Sequence, residues 1–270
     1  MVRPGQHLLV TGGWRIEPVG EWCAARPEQI EEIVRQVVRA IEGAESRLYY
    51  RSRHAVTYRT QIAAAAGETL ELYVKTYDAP RGLPVLKERL RGGRAANVVR
   101  ITQALQHAGF NIPPLVLKGT HAKSGRTMLT SVRAEGVALP DIIQPAHDDQ
   151  SRARKRALLR ALGAEVARLH RAGFVHGDLT PYNIFVVQGE PPRFVFLDHD
   201  RTRPGFPAGR RYRQLRNLVQ LGRFDLAGLS NTDRMRVFKA YAADLDPPRY
   251  RATARRVALM LARRRWKDAG

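Results

Sequence analysis

The sequence predicts an α+β chain built as two lobes of a single 1–270 domain, with a β-rich N-lobe over about residues 1–131 and a helical C-lobe over about residues 136–270. Between Leu48 and Arg133 the apolar residues come in short runs rich in Tyr, Val, Thr and Leu, separated by polar turns; after Gly136 they recur mainly at helical spacing. The 270 residues, 44% of them hydrophobic, are enough for a real core.

The opening, His7–Trp22, reads as a short hairpin around Gly12 and Gly13. Pro27 sits where a helix favours its first residue, because the N–H it lacks has no helical partner there. Behind it Ile30, Ile33, Val34, Val37, Val38 and Ile41 mark one helical face, and Gly43 ends the run, the pattern of an amphipathic packing helix. Strands are expected at Leu48–Arg51, Ala55–Ile62 and Leu70–Tyr77. A basic, glycine-containing stretch, Arg81–Arg94, leads to a helix around Ala95–His107 with Gly109 as its stop. Leu115–Lys118 and Arg126–Arg133 read as two more strands. In the second lobe Ser151–Arg171 is the longest helix, with Leu158, Leu162, Val166 and Leu169 inward. The apolar runs Ile184–Val187 and Phe194–Leu197 interrupt the helices, and helices at Thr232–Ala243 and Pro248–Trp266 close the chain.

Lys and Arg total 46 against 25 Asp and Glu, a formal charge of +21. That imbalance asks for an anionic partner: nucleic acid, an acidic membrane surface, or a phosphorylated or carboxylated substrate. Cys23 is the only cysteine, which excludes an intramolecular disulfide and a cysteine-based zinc site. No apolar run approaches the roughly 20 residues that span a bilayer. Met1–Val10 is too poor in apolar residues for a secretory signal, so a cytoplasmic protein, soluble or peripheral to a membrane, is expected.

The chemistry concentrates in Phe174–Val187, FVHGDLTPYNIFVV, where His176, Asp178, Leu179 and Asn183 spell H-x-D-L-x-x-x-N, the pattern of the protein-kinase catalytic loop. Chance would produce those four residues about once in a thousand chains of this length and ordinary composition. Phosphoryl transfer needs a carboxylate to take the proton of the attacking hydroxyl and a second group to hold magnesium beside the phosphates. A loop turning back between Asp178 and Asn183 would let both side chains face one cleft, with His176 bracing its backbone; the bland alternative is a surface turn. The buried-strand pattern Phe194–Leu197 then delivers Asp198, 20 residues after Asp178, as a candidate magnesium ligand. Asp198-His199-Asp200 stands where D-F-G is usual, and Asp200 can brace the loop, join the metal side or pair with Arg201. Leu70–Lys75 resembles the strand that ends in a phosphate-binding lysine, making Lys75 the best-placed cation of the first lobe. There is no P-loop signature and no G-x-G-x-x-G before Lys75, so the turn Arg51–His54 would have to cover the phosphates. The helix Ala95–His107 has no Glu to pair with Lys75, leaving Asn97 as a candidate partner.

Taken together the chain resembles the bacterial lipopolysaccharide kinases of the Kdo/WaaP family. The segments VHGDLTPYNIFV and FVFLDHDR resemble that family's catalytic loop and its D-x-D-R magnesium segment. Arg210–Leu218 resembles its basic helix, Gly228–Tyr241 its turn and R-x-x-F-x-x-A-Y helix, and Gly109–Pro113 its G-[IV]-x-x-P. The resemblance covers about Leu48 to Tyr241 and implies a protein-kinase-like two-lobe fold. It implies Asp178 as catalytic base, Asn183 and Asp198 as magnesium ligands, Lys75 on the ATP phosphates, and Met128–Arg133 against adenine. The implied acceptor is a hydroxyl of an inner-core sugar, heptose or Kdo, on an anionic glycolipid at the cytoplasmic face of a Gram-negative inner membrane.

The charge suits such a surface, where each Lys or Arg gains about 1 kcal/mol. Arg201, Arg203, Arg210, Arg211, Arg213 and Arg216 would line the acceptor side. Cationic acceptors such as aminoglycosides or choline are disfavoured by this basic segment; a protein or another small-molecule acceptor stays open. A basic nucleic-acid-binding module accounts for the charge but not for His176, Asp178, Asn183 and Asp198 at kinase spacing, and nucleic acid is not the expected partner.

Overall fold

The computed structural model describes residues 8–43, 47–52, 55–63, 69–79, 93–204, 209–245 and 247–268. The chain divides into two compact units, Met1–Gln103 with Pro113–Arg133, and Ala104–Ile112 with Ala134–Gly270. Arg53, His54 and most of the expected basic stretch Arg81–Arg94 lie outside the described residues.

In the first unit β1 (Leu9–Thr11) and β2 (Trp14–Pro18) form a hairpin in which Thr11 faces Trp14. Gly12 and Gly13 between them have φ of 53° and 75°, the positive pair that a two-residue turn between right-twisted strands requires. Strands β3 (Arg47–Arg51), β4 (Ala55–Ala63), β5 (Thr69–Tyr77), β6 (Leu115–His121) and β7 (Thr127–Val132) complete a 7-stranded antiparallel sheet in the order β1-β2-β6-β7-β5-β4-β3. Helix α1 (Pro27–Glu42) starts at the expected proline and ends with the Gly43 amide donating to the Arg39 carbonyl. Its Ile30, Ile33, Val34, Val37 and Val38 bury against Trp14, Ile16, Leu72, Val74, Leu117 and Met128. Each such side chain contributes about 1.5–3 kcal/mol by leaving water. Strand alternation turns Tyr73, Lys75 and Tyr77 to the opposite face of β5. There Tyr77 packs with Leu129 and with Val98 and Val99 of helix α2 (Arg94–His107).

The last turn of α2 belongs to the second unit, whose described elements include the short α3 (Leu139–Ile142), α4 (Asp149–Arg171), α5 (Arg210–Gly222), α6 (Asn231–Tyr241) and α7 (Pro247–Asp268). Asp148 and Ser151 cap the start of α4 reciprocally, each side chain accepting from the other's backbone amide. Gly163, in the middle of α4, would be a poor helix residue by propensity alone. A methyl group there would run into the Val237 carbonyl and the Ala240 side chain of α6, so the glycine is what lets the two helices touch. Strands β8 (Val137–Ala138), β10 (Ile184–Val187) and β11 (Arg193–Phe196) form a small sheet, and β9 (Phe174–Val175) pairs with β12 (Arg203–Pro204). Leu162, Leu218, Leu221, Val237, Phe238 and Val257 line an apolar chamber of about 130 Å³ among the helices.

Candidate active site

The hairpin β10–β11 builds the site. Ile184 faces Phe196, so the residue before one strand lies beside the residue after the other, and the Leu197 amide donates to the Asn183 carbonyl at 2.9 Å. Asp198 therefore emerges next to Asn183 although 15 residues separate them. On the other side the Asn183 side-chain amide donates to the Asp178 carbonyl at 2.9 Å, and the Thr180 amide donates to the same oxygen at 2.9 Å. The loop thus turns back on itself and brings Asp178, Asn183 and Asp198 together. Asp178 and Asn183 are half-buried and Asp198 is exposed. With its Nδ2 bound to Asp178, Asn183 keeps its amide oxygen without a partner among the described residues. Asp198 sits at φ 58° and ψ 70°, the one positive-φ residue other than glycine among those described.

Histidines fasten this loop to the segment that follows Asp198. His176, 1% exposed, donates Nε2–H to the Leu197 carbonyl at 2.8 Å, and its own carbonyl accepts the Thr202 hydroxyl at 3.0 Å. Burial holds its pKa below the usual histidine value, so the ring is neutral and braces the backbone. His199 fills the place where D-F-G has Phe; it is 5% exposed and bonded to the Phe196 carbonyl at 3.0 Å and to Thr202 at 3.2 Å. Gly177, at φ 78°, lies where any Cβ would collide with the Arg201 carbonyl, so the H-G-D spelling is a packing requirement.

A buried amide network beneath the loop carried no signal in the sequence. Asn217 Oδ1 accepts the His176 amide at 3.0 Å. Gln220 accepts the Leu179 amide at 3.3 Å and donates to the Gly177 carbonyl at 2.9 Å. Asn217 donates to Gln220 at 2.9 Å, which fixes both amide orientations. Two side chains of α5 therefore hold the backbone on both sides of Asp178. His170 extends the network, donating Nε2–H to Asn217 at 3.1 Å and accepting the Tyr241 hydroxyl at Nδ1, 2.9 Å away. Burial lowers the His170 pKa to about 4 and pushes Tyr241 up to about 12. At His170 the neighbouring Arg210 charge adds to burial in the same direction, and the Asn217 hydrogen bond opposes it. The unfolded chain protonates this ring from pH 6.5 downwards and the folded chain only near 4. Stability should therefore fall between these values, by up to about 3 kcal/mol from this group. Urea midpoints at pH 7.5 and 5 are expected to differ more in the wild type than in His170→Gln; equal differences would show that His170 charges without penalty.

Lys75 lies in the first unit, half-buried on β5 opposite Thr57 and Leu129, with Nζ 5.5 Å from the Tyr77 ring centroid; Arg94 stacks over the same ring at 4.9 Å. The Asn97 side-chain oxygen accepts a hydrogen bond from the Arg100 guanidinium at 2.6 Å. The Val132 and Arg133 amides donate to Pro114 and Glu71, so these two N–H groups are committed inside the first unit. Of the expected acceptor arginines, Arg210 is tied down, donating to the His170 carbonyl at 2.6 Å, while Arg201, Arg203, Arg211 and Arg216 are exposed.

Asn183 Oδ1 and the Asp198 carboxylate are hard oxygen donors borne on adjacent ends of the β10–β11 hairpin, the donor type that magnesium takes. Among the described residues no three His, Cys, Asp or Glu side chains converge. The pair thus fits a cation shared with phosphate oxygens rather than one caged by protein alone. A catalytic-loop Asp and Asn beside a strand-borne Asp in a helical unit, with a lysine on a β-sheet unit, define a protein-kinase-like phosphotransferase. The solved structure described as "WaaP in complex with acyl carrier protein" has the same fold, with a TM-score of 0.60 at 21% identity over 90% of this chain and 96% of that one. The lipopolysaccharide kinase (Kdo/WaaP) family matches residues 82–241, more than half of the chain, and the chain belongs to that family. It is 34% identical over 186 residues, 61% of its length and 70% of the relative's, to a 3-deoxy-D-manno-octulosonic acid kinase of Xanthomonas euvesicatoria. It is 28% identical over 183 residues, 61% and 68% of the two chains, to the EKC/KEOPS complex subunit BUD32 of Yarrowia lipolytica. The protein is a kinase of the lipopolysaccharide sugar class.

Proposed function

We propose that the chain transfers the γ-phosphoryl group of ATP to a hydroxyl of an inner-core sugar, Kdo or heptose, of lipopolysaccharide. The observation that supports this reading is the double tether of Asn183, whose side chain holds Asp178 and whose carbonyl holds the strand end that presents Asp198. Asp178 would orient the acceptor hydroxyl and take its proton as the new P–O bond forms and the bond to ADP breaks. Lys75 would hold the α- and β-phosphates. Magnesium, held by Asn183 Oδ1 and Asp198 together with phosphate oxygens, would neutralise charge on the transferring group. The exposed arginines beyond Asp198 favour an anionic acceptor presented at an anionic membrane; among the described residues no helix is long and apolar enough to cross one. Incubation with Mg-ATP and de-phosphorylated inner-core oligosaccharides should add a phosphate that mass spectrometry locates on Kdo or heptose. No phosphate on either sugar would sink this reading.

The apolar chamber favours one further partner. The structural neighbour was solved with an acyl carrier protein, and we extend that partner to this chain, with the chamber lined by Leu162, Leu218 and Phe238 receiving a carrier-borne acyl chain. Acylated carrier should be retained in a pull-down and unacylated carrier lost; equal retention argues against the chamber's role.

A further inference from the structure

Tyr182 stands in the catalytic loop between Asp178 and Asn183, yet its side chain is 57% exposed and its hydroxyl has no hydrogen-bond partner among the described residues. An exposed aromatic within a loop whose backbone is otherwise so firmly held calls for a reason. Its ring packs edge-on against Phe224, with centroids 5.6 Å apart and planes at 76°. Phe224 lies in the connection between α5 and α6, and the Arg223 guanidinium covers its face at 4.9 Å. Arg223 is half-buried and, among the described residues, has neither a carboxylate nor a carbonyl partner.

The connection is also preorganised. The single guanidinium of Arg234 donates to the carbonyls of Gly222 at 3.2 Å, Phe224 at 2.8 Å and Leu229 at 3.1 Å, and pairs with the exposed Asp225 at 3.5 Å. Two aromatic rings in contact, and a guanidinium that has no carboxylate or carbonyl partner among the described residues, therefore stand on a connection whose backbone Arg234 holds, with Tyr182 in the loop that carries the candidate base Asp178. The acidic residues of these two segments are Asp178 itself and Asp225, the latter already facing Arg234.

We propose that Tyr182, Phe224 and Arg223 form the acceptor subsite, an aromatic platform for the C–H face of a sugar ring whose carboxylate or phosphate lies on Arg223. The aromatic rings supply apolar area at low entropic cost, and a guanidinium matches a planar carboxylate through paired N–H donors. The inference rests on the reading of Asp178 as the centre of transfer, and it selects an anionic sugar over a neutral one.

The test uses the full chain with a soluble, lipid-free oligosaccharide ending in Kdo, and the same oligosaccharide with the carboxylate reduced to an alcohol. Binding is read by saturation-transfer NMR, and turnover by phosphate incorporation. Tyr182→Ala is expected to weaken binding and raise the acceptor KM by about tenfold, with Tyr182→Phe restoring both. Arg223→Ala should weaken the carboxylated sugar by a similar factor and leave the reduced sugar unaffected. If the wild type turns over the acceptor and neither Tyr182→Ala nor Arg223→Ala changes its KM, the platform is overturned. Binding that depends on Tyr182 and Arg223 without any transfer would uphold the platform and overturn the assigned reaction instead.

Discussion

Asp178→Asn is expected to lower phosphoryl transfer by about 10²-fold or more while ATP affinity stays close to wild type. General-base terms of this kind are typically 10²–10⁴. The substitution preserves shape, and the contacts that shape the loop use the Asp178 carbonyl rather than its carboxylate: Asn183 and Thr180 both donate to that backbone oxygen. Loss of activity would therefore report the missing proton acceptor and not a collapsed loop. Single-turnover kinetics paired with calorimetric ATP binding separate the two. Near-normal turnover would remove Asp178 from the role of base.

Asp198→Gly and Asp198→Ala are both expected to lose transfer, and to differ in stability. Both remove the carboxylate, but the backbone at φ 58° and ψ 70° strains any residue with a Cβ. Left-handed geometry costs an L-residue roughly 1–2 kcal/mol. The glycine variant should therefore be more stable than the alanine variant by about 1 kcal/mol, a few degrees in melting temperature for a chain of this size. Identical melting temperatures would mean that the strain is absent. The comparison is internal to the two variants, so whatever contacts the carboxylate makes cancel.

Much of the architecture was readable from alternation and spacing. Ile184–Val187 is the same in sequence and structure, and the strands expected at Leu48, Ala55 and Leu70 differ from those observed by one residue at an end. Period-two burial shows along Thr69–Tyr77 and Ile184–Val187, whereas Arg47–Arg51 and Ala55–Ala63 do not alternate and were marked by their β-branched and aromatic composition between polar turns. Two-residue strands such as Val137–Ala138 and Phe174–Val175 are too short for either signal; they exist because of partners distant in sequence. The loop residues Asp178 and Asn183 and the strand-borne Asp198 could be picked out because their spacing is a property of local sequence. Asn217 and Gln220 could not, since amides in a basic helix look like solvent-facing residues until the backbone they hold, some 41 positions earlier, is placed against them. Arg210 misled in the opposite sense: within a run of arginines it read as an acceptor contact, yet it closes the carbonyl end of α4.

The stitching of the catalytic loop to the Asp198–Arg203 segment bears on how such an enzyme can be controlled and inhibited. In many kinases the aromatic residue after the metal-binding Asp swings out of its pocket, and the enzyme toggles between on and off conformers. Here the corresponding residue is the buried His199, bonded to Phe196 and Thr202, while Thr202 and Leu197 are bonded to His176. Swinging the segment outward would break these contacts together and leave the carbonyls of Phe196 and His176 without their donors in the interior. The toggle is accordingly disfavoured, and compounds that rely on the swung-out arrangement should find no pocket.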